Sequence, residues 1–429
     1  MGMRATLINP PRSYLIEPEA QAPMGLLYVA AVLEQEGWEV QYVDLAFQEE
    51  IPEADLYGIT ATSADYPDAV RVAESLKDRG GIVVLGGRHA TGVMVSGKGV
   101  IDHGVFDTVV VGEGENPIRK IAREYESIKE SSAFPVVIHQ LPVEDLDSIP
   151  FPARHLLPVQ GKNIFAYRER YWEGETTCLL TMRGCPFKCA FCTAGGERVR
   201  YRSVDNVITE IEHVIDTYGI REFRLSDDTF TLNRKRLLEL LPRMKECGIF
   251  WRASVRAYPL DPELLQLMAD SGCVELSYGI ESGDQRVLDR INKGITLEQS
   301  RNAMKWTKEA GITVRALMIA GLPGETSQSA YKTIEFMEET RQYWDIAALT
   351  NFVPLPGSPI WNKPRSFGVK LRSIDNFNFY LWKPGEDGEP VMTPIVNYIE
   401  LEDLSEEQVT KNKRVLRAYF TGLDKVNRG

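Results

Sequence analysis

Short apolar runs alternate with helical periodicity through the first third of the chain. The runs predict strands because they are rich in β-branched residues and are bounded by Gly, Pro, Asn or Asp. The predicted strands are Arg4–Ile8, Glu39–Val43, Leu56–Thr60, Ile82–Leu85 and Thr108–Val111. Predicted helices between several of them cover Met24–Gln35, Asp65–Asp78 and Asn116–Glu124. This alternation predicts an α/β domain over residues 1–140, with a Rossmann-like parallel sheet.

A second series of such segments follows a proline-rich break. Residues 141–175 hold four prolines without periodicity, which is typical of a linker. Beyond it, strands are predicted at residues 178–181, 222–226, 250–254, 274–278, 313–319 and 346–352, with helices between them. Because a closed TIM barrel needs eight such units, residues 176–360 are expected to form a partial (β/α)6 TIM-barrel-like domain or an open sheet. Residues 361–429 are expected to form a small capping region that ends in a helix over Leu404–Phe420.

Ligands in such folds bind at the sheet edge where the carboxyl ends of parallel strands meet. In the first series, the loops at this edge hold small or turn-forming residues. These loops are Asn9–Pro11, Thr60–Asp65, Gly86–His89 and Gly112–Glu115. We therefore expect binding residues of the first domain in these loops.

The charge balance and the distribution of apolar residues exclude several classes of protein. The chain has 49 Lys and Arg against 61 Asp and Glu, a formal net charge of −12. Such a chain would repel a phosphate backbone, so we expect no nucleic-acid partner. No signal-peptide core and no run of about 18 apolar residues occurs in the sequence. The sequence therefore predicts a cytoplasmic protein without a membrane span.

Three of the six cysteines crowd into one loop after the first strand of the second series. Cys185, Cys189 and Cys192 form a C-x3-C-x2-C pattern, and clustered thiols in a reducing compartment are more typical of metal ligands than of disulfides. Thiolates suit an iron–sulfur cluster or zinc. Since a structural zinc site normally takes four ligands, three would leave one metal position open for chemistry. Zinc with a distant fourth ligand and unligated loop thiols are the alternative interpretations.

This loop, with Phe191 before its last cysteine, resembles that of the radical S-adenosylmethionine (radical SAM) superfamily. The resemblance implies that Cys185, Cys189 and Cys192 hold a [4Fe-4S] cluster whose open iron is chelated by the methionine part of S-adenosylmethionine. It also implies that the reduced cluster cleaves this cofactor to a 5′-deoxyadenosyl radical, and that Phe191 packs near the adenine. The electron would come from an external donor such as flavodoxin or ferredoxin.

Further candidate residues lie where the next two strands end. Asp227 and Asp228 stand where the family often has a Gly-Gly-Glu-like motif that binds the methionine amino group. Their alternative role is to cap a helix N-terminus. Arg252 and Arg256 are cations suited to bind a carboxylate, with a surface or salt-bridge role as the alternative.

Two later strand ends and the C-terminal region complete the candidate set. Glu281 and Ser282 are suited to hydrogen-bond ribose or methionine groups. Gly321 opens a turn that resembles the family's glycine-rich turn beside the adenine. Tyr380 and Trp382 are suited to line a substrate cavity or, alternatively, to pack against the barrel edge.

The first domain resembles the B12-binding domain of the cobalamin-dependent branch of this superfamily, through segments Met24–Ala30, Gly86–Thr91 and Val110–Glu115. The resemblance implies that a corrin lies over the strand ends of the sheet. The implied cobalamin-binding residues are Pro10, Ser63, Gly87, Arg88, Gly112 and Glu113. The sequence lacks the Asp-x-His-x-x-Gly motif of classical B12 domains, so a domain that binds no cofactor is the alternative. His89 is expected to be a loop or core residue.

Together these features predict a cobalamin-dependent radical SAM enzyme that methylates an unactivated carbon, less often phosphorus, of a small biosynthetic intermediate. A natural-product-type substrate would be its partner. The alternative is radical dehydration, carbon–carbon coupling, cyclisation or rearrangement without methyl transfer and without bound cobalamin. A non-catalytic iron–sulfur protein is a more remote alternative, because three loop cysteines do not supply the four thiolates that such clusters normally use.

Overall fold

The described part of the chain forms two compact units. The computed structural model describes residues 2–12, 22–99, 101, 104–131, 135–158, 175–372, 382–384, 390–392 and 399–427. Unit 1 comprises Met1–Thr176 and Ile374–Thr393. Unit 2 comprises Thr177–Ser373 and Pro394–Gly429. The C-terminal region expected over residues 361–429 is therefore divided between the two units.

Unit 1 is built on a six-stranded sheet. Its strands are β1 (Arg4–Asn9), β2 (Glu39–Asp44), β3 (Leu56–Thr60), β4 (Ile82–Gly86), β5 (Thr108–Val111) and β6 (Val136–His139). Its helices are α1 (Met24–Gln35), α2 (Tyr66–Leu76), α3 (Arg88–Ser96), α4 (Glu115–Arg123) and α5 (Tyr125–Lys129). Short 3-10 helices cover Leu146–Ser148 and Arg154–Leu156.

All neighbouring strands of this sheet are parallel, in the order β2-β1-β3-β4-β5-β6. This is the flavodoxin-like order with one further strand, and its ligand-binding switch point lies between β1 and β3. In β1 every residue after Arg4 is buried, as expected for a parallel strand covered on both faces. The predicted Rossmann-like domain is confirmed.

Two elements of unit 1 differ from the sequence-based expectation. The sequence predicted a loop over Gly86–His89, whereas α3 already begins at Arg88. The helix starts there because Gly87, at φ +99°, turns the chain directly out of β4. A Cβ on Gly87 would lie 2.6 Å from the carbonyl oxygen of Ala61, so only glycine fits. The short strand β6 was also missed.

Unit 2 is built on a second six-stranded sheet and a two-stranded hairpin. The strands are β7 (Thr176–Leu179), β8 (Met182–Arg183), β9 (Arg200–Tyr201), β10 (Glu222–Leu225), β11 (Phe250–Val255), β12 (Cys273–Glu281), β13 (Thr313–Ala320) and β14 (Ile346–Asn351). The helices are α6 (Val204–Tyr218), α7 (Arg234–Cys247), α8 (Pro262–Asp270), α9 (Gln285–Arg290), α10 (Leu297–Glu309), α11 (Ser329–Glu339) and α12 (Pro359–Asn362). Further 3-10 helices cover Phe230–Leu232, Arg341–Tyr343 and Pro364–Phe367.

The C-terminal part adds short strands and a long helix. These are β15 (Val369–Leu371), β16 (Trp382–Pro384), β17 (Pro390–Met392), β18 (Ile399–Leu401) and α13 (Glu406–Asn427). β15 pairs with β18 and β16 pairs with β17, both antiparallel. The predicted helix over Leu404–Phe420 is thus present but begins two residues later, at Glu406. Among the helices described, none has the length and apolar character needed to cross a membrane.

The large sheet of unit 2 has the order β14-β13-β12-β11-β10-β7, so its strands follow one another as they do in the sequence. The pairs from β10 to β14 are parallel, and burial alternates along β13. This confirms the predicted partial (β/α)6 TIM-barrel-like domain. The carboxyl ends of these strands share one edge, where barrel enzymes place their active sites.

One strand end departs from regular geometry. The sequence predicted that the fourth strand stops at Tyr278, whereas β12 continues to Glu281. Its pairing with β13 shifts register between Gly279 and Glu281. Glu281 has φ +66°, a left-handed conformation that is uncommon for residues other than glycine. The last residue of this strand, Glu281, pairs with Lys293, as described below.

Candidate functional site

The cysteine loop joins β8 to β9, which pair with each other antiparallel. Gly184 opens it at φ +91°, and a Cβ there would lie 2.3 Å from the carbonyl oxygen of Arg198. Cys185 forms a β-bridge with Gly195, and the Gly196 amide donates to the Cys185 carbonyl at 2.8 Å. The two arms of the loop therefore approach so closely that position 184 requires glycine.

The three cysteines of the loop are free thiols; Cys189 is buried and the other two are half-buried. Burial raises the pKa of Cys192, and the charges of Cys189 and Cys185 raise this pKa further. In the described part of the chain, no three His, Cys, Asp or Glu side chains converge on a single-ion site. A [4Fe-4S] cluster needs no such convergence, because each of its irons takes one thiolate. Three thiols on one loop fit the cluster.

Arg256, just beyond β11, reaches the cysteine loop. Its Nη1 donates toward the Cys189 sulfur at 3.7 Å, and its guanidinium lies 3.9 Å from the centre of the Phe187 ring. Its Nη2 donates to the carbonyl oxygen of Lys293. Arg256 therefore places a buried positive charge next to one of the three loop sulfurs.

Phe191 and Glu281 also come together at this edge, through a residue that the sequence did not single out. The Lys293 ammonium donates to Glu281 Oε1 at 2.6 Å and lies 5.8 Å from the centre of the Phe191 ring. Lys293 and Glu281 are both buried. Phe191 packs against an apolar cluster that includes Ile291 and Leu322. In the sequence, the turn-forming residues Asn292 and Gly294 on either side of Lys293 were the signal that could have drawn attention to it.

Asp227 and Asp228 hold the backbone on which the cysteine loop is built. The buried Asp227 carboxylate accepts from the Thr181 amide and hydroxyl, each at 2.6 Å, and from the Met182 amide at 3.1 Å. Burial raises the pKa of Asp227 to about 6 despite these bonds. Asp228 accepts from the Gly184 amide at 3.2 Å. The alternative as a helix cap is not seen, because Asn233 caps α7 instead.

Ser282 and Gly321 lie at the neighbouring strand ends with partners of their own. The Ser282 hydroxyl accepts from the Asp284 amide at 3.1 Å and lies 3.5 Å from Thr333 Oγ1 on α11. The Gly321 amide donates to Glu325 Oε1 at 2.7 Å. These contacts place Ser282 against α11, whereas Gly321 opens a turn that a buried carboxylate braces.

Arg252 lies deeper in the sheet and forms the salt bridge that was its alternative role. Its Nη1 is 3.8 Å from Glu275 Oε1, and Arg315 binds the same carboxylate through two bonds of 2.8 Å. Arg315 and Arg252 keep the pKa of Glu275 below its ordinary value although burial opposes them. Arg252 therefore belongs to an ion-pair network on the inner strands.

In unit 1, Pro10 is buried at the switch point, next to a hydrogen-bonded carboxylate. Asp44 accepts from Asn9 Nδ2 at 2.7 Å, from the Tyr42 hydroxyl at 3.1 Å and from the Ala46 amide at 2.9 Å. Asn9 is the last residue of β1, so these bonds fix the start of the loop that carries Pro10. The start of this loop is therefore held by buried hydrogen bonds.

Ser63 and His89 meet between the loops after β3 and β4. Their Oγ and Nδ1 atoms are 3.1 Å apart, and both residues are buried. The His89 ring stacks on Tyr66 at 4.1 Å between ring centres, and burial lowers the pKa of His89 to about 3. His89 is thus a core residue, one of the two positions predicted from the sequence, and burial keeps its ring neutral. Its Nδ1 fixes the Ser63 hydroxyl.

The other predicted residues of this edge are more open. Arg88 and Gly112 are exposed, and Gly112 has φ +94°. Its amide donates to Thr91 Oγ1 at 3.0 Å, and a Cβ on it would meet no atom closer than 4.0 Å. Glu113 accepts from the Val143 amide at 3.1 Å. An open glycine backbone beside the loops of β3 and β4 fits the close approach of a flat macrocycle.

Whether the predicted aromatic pair, Tyr380 and Trp382, lines a cavity stays a prediction. Tyr380 lies outside the described residues, and Trp382 is the first residue of β16.

Comparisons with known proteins bear on both units. Residues 179–337 match the radical SAM superfamily, and residues 19–122 match the B12 binding domain. An uncharacterized methyltransferase of Pyrococcus horikoshii is 30% identical over 98% of this chain and 92% of its own length. The chain belongs to the B12-binding radical SAM family. The family predicted from the sequence is thereby confirmed, as is the prediction of an enzyme.

Two further proteins resemble this B12-binding radical SAM enzyme over most of its length. Cytidylyl-2-hydroxyethylphosphonate methyltransferase of Streptomyces wedmorensis is 29% identical, over 83% of this chain and 80% of that protein. The structure of TsrM from Kitasatospora setae, a radical S-adenosylmethionine methyltransferase with cobalamin and a [4Fe-4S] cluster bound, aligns with a TM-score of 0.67. That alignment has 17% identity and covers 88% of this chain and 82% of the other, so it shows a shared fold.

The two matched domains define the cofactor set of this B12-binding radical SAM enzyme. A [4Fe-4S] cluster and S-adenosylmethionine belong to the first, and cobalamin belongs to the second. This is the set predicted from the sequence. The thiols of unit 2 and the open glycine edge of unit 1 fit it.

Proposed function

We propose that this enzyme is a cobalamin-dependent methyltransferase that adds a methyl group to an unactivated carbon of a small biosynthetic intermediate. One observation carries the proposal: a single chain holds both the three-thiol loop at a barrel edge and a B12-type sheet with an open glycine edge. Relatives that span most of the chain are named methyltransferases, which supports the same reaction. A natural-product-type molecule is the proposed class of substrate.

In unit 2, Cys185, Cys189 and Cys192 are the proposed cluster ligands. When bound, the cluster would supply the electron that cleaves one S-adenosylmethionine, and cobalamin, methylated by a second S-adenosylmethionine, would supply the methyl group. The protein's part is to fix the thiolates and to exclude water. Arg256 holds positive charge at 3.7 Å from the Cys189 sulfur, and Asp227 and Asp228 brace the backbone ahead of the loop. An external flavodoxin or ferredoxin is the proposed electron donor.

The proposed S-adenosylmethionine site is the edge formed by the cysteine loop and the ends of β12 and β13. Phe191 offers an apolar ring face for the adenine, and Glu281 offers a charged acceptor for hydroxyl or amino groups. Gly321 supplies a turn at which the backbone can approach the cofactor closely. The Ser282 hydroxyl lies against Thr333 on α11. Its proposed role in the site is therefore to fix the position of the end of β12.

The proposed cobalamin site is the carboxyl edge of the unit 1 sheet. Its residues are Pro10, Ser63, Gly87, Arg88, Gly112 and Glu113. Ser63 is held in place by His89 at 3.1 Å, so its hydroxyl is positioned before any ligand binds. Arg88 offers an exposed cation suited to the polar side chains or phosphate of the cofactor. Cobalt would receive no imidazole ligand from His89, because that ring is buried and stacked on Tyr66.

The first test is a cofactor inventory under anaerobic conditions. The protein is reconstituted with iron and sulfide, mixed with hydroxocobalamin, desalted, and assayed for iron, sulfide and corrin absorbance. Alanine variants of Cys185, Cys189 and Cys192 should lose the iron but keep the corrin. Cys247→Ala, which removes a half-buried thiol outside the loop, should keep both. Retention of the cluster without corrin would contradict the cobalamin assignment.

The second test addresses methyl transfer itself. The loaded enzyme is incubated with reductant, a panel of small-molecule acceptors and S-adenosylmethionine that carries a deuterated methyl group. Mass spectrometry should find an acceptor that gains the deuterated methyl group. Formation of 5′-deoxyadenosine with acceptors that are dehydrated, coupled, cyclised or rearranged, and never methylated, would overturn the proposal in favour of methyl-free radical chemistry.

A further inference from the structure

One face of the large sheet of unit 2 is covered by helices. Trp251 on β11 donates through Nε1 at 3.0 Å to the carbonyl oxygen of Ser271, which caps the end of α8. The Tyr278 hydroxyl on β12 lies 2.6 Å from Thr307 Oγ1 on α10. Both aromatic residues are buried. Because successive side chains of a strand point to opposite faces of the sheet, the residues on either side of Trp251 and Tyr278 face the interior of the partial barrel.

This interior is polar and open, unlike that of a closed TIM barrel, which branched apolar side chains fill in layers. On the inner face, Ser254 of β11 is exposed and Ser277 of β12 is half-buried. The register places Arg315 of β13 beside Ser277, on the same face. Along β13, the residues of this face are half-buried, whereas those of the helix-covered face are buried. The interior therefore has room for a ligand.

Four charged residues form a layer across this inner face. The strand register pairs Arg224 of β10 with Arg252 of β11, and Arg252 with Glu275 of β12. Arg315 donates to both oxygens of Glu275 at 2.8 Å, and Arg252 Nη1 lies 3.8 Å from Glu275 Oε1. The Arg252 and Arg315 side chains are 12% and 13% exposed, so both can be reached from the open interior. Three guanidinium groups and one carboxylate thus share this layer.

The layer carries more positive than negative charge. Burial lowers the pKa of Arg224, whereas Cys178 and Glu275 raise this pKa and Arg315 lowers it. Burial also lowers the pKa of Arg252, which Glu275 raises and Arg315 lowers. Among the described residues, Glu275 is the one carboxylate whose charge acts on both arginines. Like charges repel more strongly away from water, so an anion beside these guanidinium groups would stabilise the layer.

We propose that Arg224, Arg252 and Arg315, here called the arginine floor, bind an anionic group of the methyl acceptor, either a carboxylate or a phosphoryl group. The inference rests on the proposed function and gives its substrate a chemical class, that of small molecules with an acidic end. A guanidinium is a planar donor that matches two oxygens of such a group at once. Glu275 is a positioning residue, because it holds Arg315 and Arg252 in the layer.

The arginine floor lies at a distance from the cysteine loop. A strand rises about 3.3 Å per residue, so Arg252 lies about 13 Å along β11 and its extension from Arg256. Arg256 Nη1 reaches the Cys189 sulfur at 3.7 Å. A small molecule held by its acidic end on the floor would direct its other end toward the cysteine loop. The floor would thereby select which end of the acceptor reacts.

The test measures anion binding and acceptor preference in the enzyme loaded with cluster and cobalamin. Arg224→Gln and Arg252→Gln are compared with the wild type. Arg301→Gln is the matched control, because Arg301 also pairs with carboxylates but lies on α10. Inorganic phosphate and acetate are the anion probes, titrated by calorimetry with and without S-adenosylmethionine. The acceptor panel is then run as matched pairs, each acid with its neutral methyl ester.

The tighter of the two probes should identify the bound group as phosphoryl or carboxylate. Arg224→Gln and Arg252→Gln should each raise the dissociation constant of that probe at least tenfold, whereas Arg301→Gln should leave it unchanged. Acids should be methylated with a kcat/KM at least tenfold above that of their esters. Arg224→Gln should raise KM for the acid but not for the ester, a difference that a purely structural arginine would not produce.

Failure of both probes to bind the wild type would overturn the inference, as would equal affinities in the floor variants or equal use of acids and esters. Loss of probe binding when S-adenosylmethionine is added would also overturn it, because the floor would then hold the cofactor. If Arg252→Gln does not fold, Arg224→Gln alone decides. A wild-type enzyme that binds the probes through the floor but methylates no acceptor would instead overturn the proposed function, so the two failures are distinguishable.

Discussion

Glu325 makes the stability of unit 2 depend on pH in a way that its contacts allow us to calculate. The side chain is 3% exposed, and its Oε1 accepts from the amides of Gly321 and Leu322 at 2.7 and 3.0 Å. Its Oε2 accepts from Nδ2 of Asn412, on α13, at 3.4 Å. Burial outweighs these three bonds and raises the pKa of Glu325 from 4.5 to about 7.

The sign of the effect follows from proton linkage. Between pH 4.5 and 7 the folded state binds the proton more tightly than the unfolded state does, so the free energy of unfolding falls as the pH rises. One pKa unit corresponds to about 1.36 kcal/mol, so the whole shift costs about 3 kcal/mol. About 2 kcal/mol or more of this loss falls between pH 5 and 8.

Glu325→Gln removes the titration but keeps an oxygen that accepts from Gly321 and Leu322. Urea unfolding followed by tryptophan fluorescence would be measured for both proteins from pH 5 to 8. Since all other groups titrate alike, the variant should gain about 2 kcal/mol relative to the wild type over this range. Glu309→Gln, which changes an exposed carboxylate, should show no such trend. A constant difference between Glu325→Gln and wild type would refute the reasoning.

Three further predictions concern the supports of the two sites. Gly184→Ala should lower the iron retained after reconstitution, measured by iron assay, far more than Gly196→Ala does. Both positions have positive φ, but only a Cβ at position 184 would meet a backbone oxygen, that of Arg198 at 2.3 Å. Asp227→Ala should lower the melting temperature and the iron content, because three donors lose their acceptor. Each buried group left unsatisfied lowers the free energy of unfolding by about 1–3 kcal/mol. An unchanged melting temperature would contradict this. Asp44→Ala should destabilise unit 1 by about 3 kcal/mol or more for the same reason, since three donors and the Arg12 guanidinium lose their acceptor. Calorimetry showing a loss confined to unit 2 would contradict this.

Much of this protein could be predicted from the sequence because the information is local. A β-α rhythm requires parallel sheets, and the carboxyl ends of their strands must share an edge. The three thiols within eight residues formed a recognisable ligand set on their own. The packed position of His89 was also expected, since a lone histidine in a Gly-rich turn is more often a loop or core residue than a ligand.

The strand-end residues could not be assigned in the same way, because their partners are distant in the sequence. Asp227 braces Thr181, 46 residues earlier, and so became a support of the cysteine loop. Arg252 and Arg256, four residues apart, looked equivalent in the sequence. In the structure, Arg252 joins an ion-pair network through Glu275, whereas Arg256 contacts the Cys189 sulfur.

Lys293 shows most clearly what only the tertiary structure decided. It lies in an Asn-Lys-Gly turn that the sequence did not single out. The register shift in β12 and the left-handed Glu281 bring a carboxylate to it and bury both charges. Local pattern thus determined the fold and pointed to the proposed cluster ligands. The charge pairs of the site were set by packing between strand ends, because electrostatic pairing depends on distance in space rather than along the chain.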